Sequence, residues 1–245
     1  MKLSSGQITL LITAVATTAA IVLSSRKPSS SPESAEQVEQ VITAEDVKIE
    51  KALEIINGGG PPMEGILMLK ELADADEPNI DAVFLLAQFS ETSGQDSLAV
   101  ERYTQLLELD PNQIEATWKL AMLNMKMGDL EDAVTRFELC VEEDAAFANG
   151  YFFIGRCFEA MVRSGMERED SLLNALAEES NLAKKNLLIQ DLNYQQAQLT
   201  KHEQAALEAY KSYLPLSPDS ATSMGVEAII NRLEVGATRA NDVNP

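Results

Sequence analysis

Residues 114–147 read IEATWKLAMLNMKMGDLEDAVTRFELCVEEDAAF, and residues 80–113 before them read IDAVFLLAQFSETSGQDSLAVERYTQLLELDPNQ. Laid over each other at a shift of 34, Gly94 falls on Gly128, Ala99 on Ala133, Tyr103 on Phe137, Leu107 on Val141 and Asp110 on Asp144. The register also holds in the first half of each segment and continues into the next one. Ala82, Ala116 and Gly150 form one series, Leu86, Leu120 and Ile154 a second, and Ala87, Ala121 and Gly155 a third. Small residues recur where two helices must approach closely, and large ones where the gap between them must be filled. Such a period, with apolar residues every three or four positions and a glycine midway, predicts a repeated helical hairpin.

Outside this stretch the pattern weakens without disappearing. Upstream, 46–79 has Gly65, Leu69 and Leu72 at matching places, but its turn is Asn57-Gly58-Gly59-Gly60-Pro61-Pro62. Its first helix must end early there, because glycine runs cost helix entropy and proline blocks continuation. Downstream, a fourth unit over 148–219 begins with Gly150, Ile154 and Gly155 and closes with Ala206, Tyr210 and Pro218. Ala133 and Ala206 lie 73 residues apart where 34 are expected, which places an insertion of 39 residues at about 163–201. The insertion has no proline and carries leucines at 172, 173, 176, 182, 187, 188 and 192, so it is expected to be helical and amphipathic. After it, 220–235 places Val226, Ile229, Ile230 and Leu233 on one face, as a helix capping an exposed end would. The last ten residues, 236–245, are expected to form a disordered tail.

In each good unit a Leu-small pair precedes a turn glycine, then an alanine, then an aromatic four residues later, then an aspartate. These are Leu86-Ala87, Gly94-Gln95, Ala99, Tyr103 and Asp110-Pro111, then Leu120-Ala121, Gly128-Asp129, Ala133, Phe137 and Asp144-Ala145. This pattern resembles the tetratricopeptide repeat family. The resemblance covers about 46–235 and is most specific over 80–155. It implies an all-α fold, a right-handed α-solenoid of about four hairpins with a C-terminal capping helix, and a protein-binding role on the concave surface lined by first helices. Three rows recur on those helices: Phe84, Trp118 and Phe152; Gln88, Met122 and Arg156; Glu91, Met125 and Glu159. Aromatics and methionines supply apolar contact, and Arg156 can fix a carboxylate or a backbone carbonyl. An aromatic at helical spacing equally fits a packed core, so both readings of the first row stand at this point. Family members that clamp a peptide's terminal carboxylate use Lys and Asn on this surface, whereas Phe84, Gln88 and Trp118 stand here.

The N-terminus adds a second element. Ile8 to Leu23 is sixteen residues without charge, flanked by Lys2 and by Arg26-Lys27. With its interfacial neighbours it approaches the length of a spanning helix, giving an anchor over 1–27. A cleaved signal peptide is the rival reading, because Thr18-Ala19-Ala20 offers small residues, although Ile21-Val22-Leu23 continue the apolar run past them. The short leading segment favours an extracytoplasmic, periplasmic-type soluble part. Residues 28–42, rich in Ser, Pro, Glu and Gln, read as a flexible polar linker.

Charge and chemistry narrow the function. With 19 basic against 39 acidic side chains the net charge is −20, which disfavours nucleic acid and anionic lipid and points to a basic or apolar protein partner, a peptide or a helix. Cys140 and Cys157 sit in apolar runs without metal-ligand spacing, and whether they are buried thiols or bonded is open. The single histidine, His202, lies in a polar stretch and is expected to be solvated. No GxSxG, GxxxxGK[ST], GxGxxG or HExxH occurs, so neither a catalytic role nor a cofactor is expected. The expectation is a membrane-tethered protein-interaction module without chemistry of its own, with a self-associating scaffold using the cap or the 163–201 insertion as the alternative.

Overall fold

The computed structural model describes residues 43–218 and 221–242. The expected anchor over 1–27, the whole 28–42 linker and the last three residues lie outside them. Among the described residues the chain is all-helical, and no helix is long and apolar enough to cross a membrane. The helices are α1 (Ala44–Asn57), α2 (Pro62–Ala73), α3 (Ile80–Thr92), α4 (Asp96–Leu109), α5 (Ile114–Met127), α6 (Leu130–Glu143), α7 (Ala148–Glu178), α8 (Leu182–Tyr213) and α9 (Ala221–Asp242), with a 3-10 turn at Leu214–Leu216. The chain divides into two compact units, one ending at Ala116 and the other beginning at Thr117.

The boundaries follow from local chemistry. α1 starts with a reciprocal cap, in which the Asp46 amide donates to the Thr43 hydroxyl at 3.1 Å and the Thr43 amide to the Asp46 carboxylate at 2.9 Å. It stops at the glycine run, and Pro62 opens α2 where its missing N–H costs nothing. The turns of the two well-matched repeats are closed by Gly94 and Gly128 at φ 76° and 93°, a left-handed conformation that glycine adopts without strain. In the next repeat Val162 occupies that position, and the turn is absent. A β-branched residue does not enter left-handed backbone, so α7 runs on for 31 residues and turns only at Ser180-Asn181. The 163–201 insertion is therefore no separate element. It lengthens both helices of one hairpin into an arm.

In the first unit, α4 is tied back towards α2 by Arg102 on Asp74 at 2.6 Å and by the Gln105 amide on the Ala73 carbonyl at 2.9 Å. In the second, one apolar cluster joins Ala121, Ala133, Val134, Phe137, Ile154, Cys157 and Met161. A further cluster seats α9 on α8 through Val226, Ile230 and Leu233 against Ala206, Tyr210 and Tyr213. Arg232 on Glu159 at 2.7 Å and Lys211 on Glu234 at 2.6 Å add polar ties. α9 extends to Asp242, so the boundary expected at 235 falls inside a helix. A lone Gly236 costs too little to stop it, and no proline lies between Pro218 and Pro245.

Candidate functional site

The first row does not form an open surface. Phe84 is buried, with its ring 6.1 Å from Tyr103. Trp118 is half-buried, in edge contact with Phe137 at 5.1 Å, Phe147 at 4.9 Å and Phe153 at 5.4 Å. Phe152 is half-buried against Tyr210 at 6.3 Å and Tyr213 at 5.5 Å. Each member thus turns onto the large aromatic of the second helix in its own hairpin: Tyr103, Phe137 or Tyr210. Burying two facing rings stabilises the hairpin more than exposing them to solvent. The packing reading holds for Phe84, while Trp118 and Phe152 pack on their hairpins and stay half-buried.

The third row engages the same aromatics. The Tyr103 hydroxyl donates to Glu91 at 2.9 Å across twelve residues, and the Tyr210 hydroxyl donates to Glu159 at 2.6 Å across 51. Those separations differ by 39, the length of the insertion, so the two bonds are one contact repeated in two hairpins. In the hairpin between them both partners are apolar, with Met125 packed against the cluster that holds Phe137. A glutamate accompanies a tyrosine and a methionine accompanies a phenylalanine, so no buried hydroxyl is left without an acceptor. This pairing was present in the sequence, as two substitutions twelve positions apart that change together.

The second row behaves differently. Gln88 is buried, and its Oε1 has no hydrogen-bond partner, so it does not contribute to an open surface. Met122 is half-buried against the cluster containing Ile154 and Cys157. Arg156, between Gly155 and Cys157 on α7, keeps 49% of its side chain exposed with its guanidinium 3.6 Å from Glu159. Of the nine expected site residues Arg156 is exposed, Phe84 and Gln88 are buried, and the other six, Met122 among them, are half-buried.

Other groups are accounted for by packing. Cys140 and Cys157 are free and buried, and burial pushes their thiols up to about 11 and about 12. At pH 8 both are expected to resist a thiol reagent in the folded chain and to react together on denaturation, which a timed Ellman assay reads directly. His202 is half-buried rather than solvated, its ring 5.8 Å from Phe158, and burial together with Lys201 lowers its pKa. Among the described residues no cluster of His, Cys, Asp and Glu is arranged to hold a metal. A shallow cleft of about 350 Å³ in the first unit is lined by Ile56, Met63, Ile66, Leu86, Phe89 and Leu98, and none of the nine expected residues contributes to it.

No family model matches the chain, and no curated protein matches it. Solved structures of similar architecture include a Bacteroides ovatus ATCC 8483 protein provisionally described as a protein-binding protein, at 15% identity over 79% of this chain and 99% of that one, TM-score 0.48. MamA from Desulfovibrio magneticus RS-1 is similar at 17% identity over 72% and 97%, TM-score 0.43. MamA AMB-1 is similar at 19% identity over 74% and 96%, TM-score 0.42. None of the three reaches a TM-score of 0.5.

Proposed function

We propose that this chain is a membrane-tethered, tetratricopeptide-type α-solenoid that binds a segment of a partner protein and carries out no chemistry of its own. The tether is the uncharged run 8–23 followed by Arg26-Lys27; the short leading segment favours the extracytoplasmic side for the helical part, and the polar spacer over 28–42 holds it clear of the bilayer. The observation that carries the binding role is the fate of the second row. Arg156 is the exposed member of the three repeated rows, with 49% of its side chain open, and Met122 of the same row is half-buried against the aromatic cluster of its unit. A half-exposed guanidinium beside apolar surface suits a partner carbonyl or carboxylate next to an apolar side chain.

The test places a photo-crosslinking residue at Met122 in the full chain in its native membrane, with Leu139 on α6 as an exposed control. A discrete protein adduct is expected from 122, absent from 139 and abolished by Arg156→Glu. An adduct at 122 indifferent to Arg156→Glu, or none at all, overturns the assignment of this surface.

A further inference from the structure

The arm built by α7 and α8 is apolar where a free helical hairpin has no need to be. Its inner seam closes in the usual way. The Gln195 amide donates to the Gly165 carbonyl at 3.2 Å, Leu199 is buried at Gly165, and Leu188 and Leu192 continue the seam half-buried. The turn is well formed as well. Asn181 Oδ1 accepts the amides of Ala183 and Lys184 at 2.9 and 3.2 Å, and the Asn181 and Ser180 amides hold the Glu179 carboxyl below its ordinary range, helped by Lys184.

Each helix carries a second stripe beside the first. On α8 it is Ala183, Leu187, Gln190, Tyr194 and Ala197, at spacings of four, three, four and three, all exposed, with Leu187 at 61% and Tyr194 at 67%. On α7 it is Met166, Asp170, Leu173 and Ala177, also exposed throughout. Helices with apolar residues on two adjacent faces belong to bundles of more than two helices, since a hairpin occupies one face of each.

The charge of the arm names the occupant. Its α7 part carries Arg163 and Arg168 against Glu167, Glu169, Asp170 and Glu178, a net of −2; its α8 part carries Lys184, Lys185 and Lys201 against Asp191, a net of +2. Elsewhere the chain is strongly acidic, and two copies repel. The arm is nearly neutral and its two helices are complementary, so an α7 segment of one copy fits beside an α8 segment of another. At 1.5 Å per residue the arm is about 25 Å long, enough for two hairpins to bury on the order of 1,000–1,600 Å², the range of specific interfaces.

We infer that the arms of two copies of this chain pack together as a four-helix bundle, making the protein a homodimer through 163–201. The interface is independent of the surface at Met122 and Arg156. Sedimentation equilibrium of the full chain in density-matched detergent tests it. The wild type is expected to dimerise, and Leu187→Glu with Tyr194→Glu to raise the dissociation constant about 100-fold, since two buried apolar anchors become charges. Met63→Glu with Leu67→Glu, on exposed apolar positions of α2, is expected to leave it unchanged. A monomeric wild type, or an arm variant that associates as the wild type does, overturns the inference. In native membranes, Gln190→Cys is expected to give a dimer with a bismaleimide while Glu138→Cys does not, Cys140 and Cys157 being buried; equal yields, or no Gln190→Cys adduct, overturn it too.

Discussion

Tyr210→Ala is expected to destabilise the unit that begins at Thr117 by about 4 kcal/mol, the scale of a large aromatic removed from a packed core. Tyr210 is fully buried where α7, α8 and α9 meet, in ring contact with Phe152 and hydrogen-bonded to Glu159. Its loss opens a cavity and leaves Glu159 without its hydroxyl donor. Tyr210→Phe keeps the ring and loses the hydrogen bond, at about 1 kcal/mol. Urea unfolding of the full chain followed by tryptophan fluorescence measures both, because Trp118 is the single tryptophan and lies in this unit. The control is Leu139→Ala on α6, whose side chain is 48% exposed. A Tyr210→Ala midpoint no lower than that of Leu139→Ala would sink the packing account.

The second large effect has an unusual sign. Glycine to alanine inside a helix ordinarily gains up to about 1 kcal/mol, because alanine loses less backbone entropy. Gly225 in α9 has nothing within 4 Å of where a Cβ would stand, and Gly225→Ala is expected to show that gain. At Gly155 the same atom would lie 2.6 Å from the Tyr210 ring, which the hydrogen bond to Glu159 and the packing of α9 keep from retreating. Gly155→Ala is expected to destabilise by about 1–3 kcal/mol, the usual cost of overpacking a filled core. The two substitutions shift the urea midpoint in opposite directions. A shift of the same sign for both would remove Gly155 from the close approach that defines this hairpin.

The hairpins were legible in the sequence because close approach and turn reversal each demand a particular residue type. Gly94 and Gly128 mark left-handed turns, Ala99, Ala133 and Ala206 mark contacts, and the 73-residue interval between the last two measures the insertion. The role of a row was not legible from its period. Phe84, Trp118 and Phe152 recur because each hairpin needs a ring against its second-helix aromatic, and a partner-binding row would recur with the same spacing. What separates the two cases is the pairing of Glu91 with Tyr103, Met125 with Phe137 and Glu159 with Tyr210, which links two positions within one hairpin. The end of α9 was missed for a simpler reason. Gly236 reads as a stop signal, but without a proline behind it a single glycine costs a helix too little to end it, and the helix runs on to Asp242.

The uninterrupted passage of α7 and α8 out of the packed hairpin sets how this region can change over time. Removing residues from one helix alone rotates all that lies beyond and pulls Gly165 away from Leu199. Taking about seven residues from both keeps every seam in register and shortens the arm by about 10 Å. The arm is thus a length-adjustable part, whose reach can be reset by paired insertions and deletions while the hairpin it grows from is left untouched.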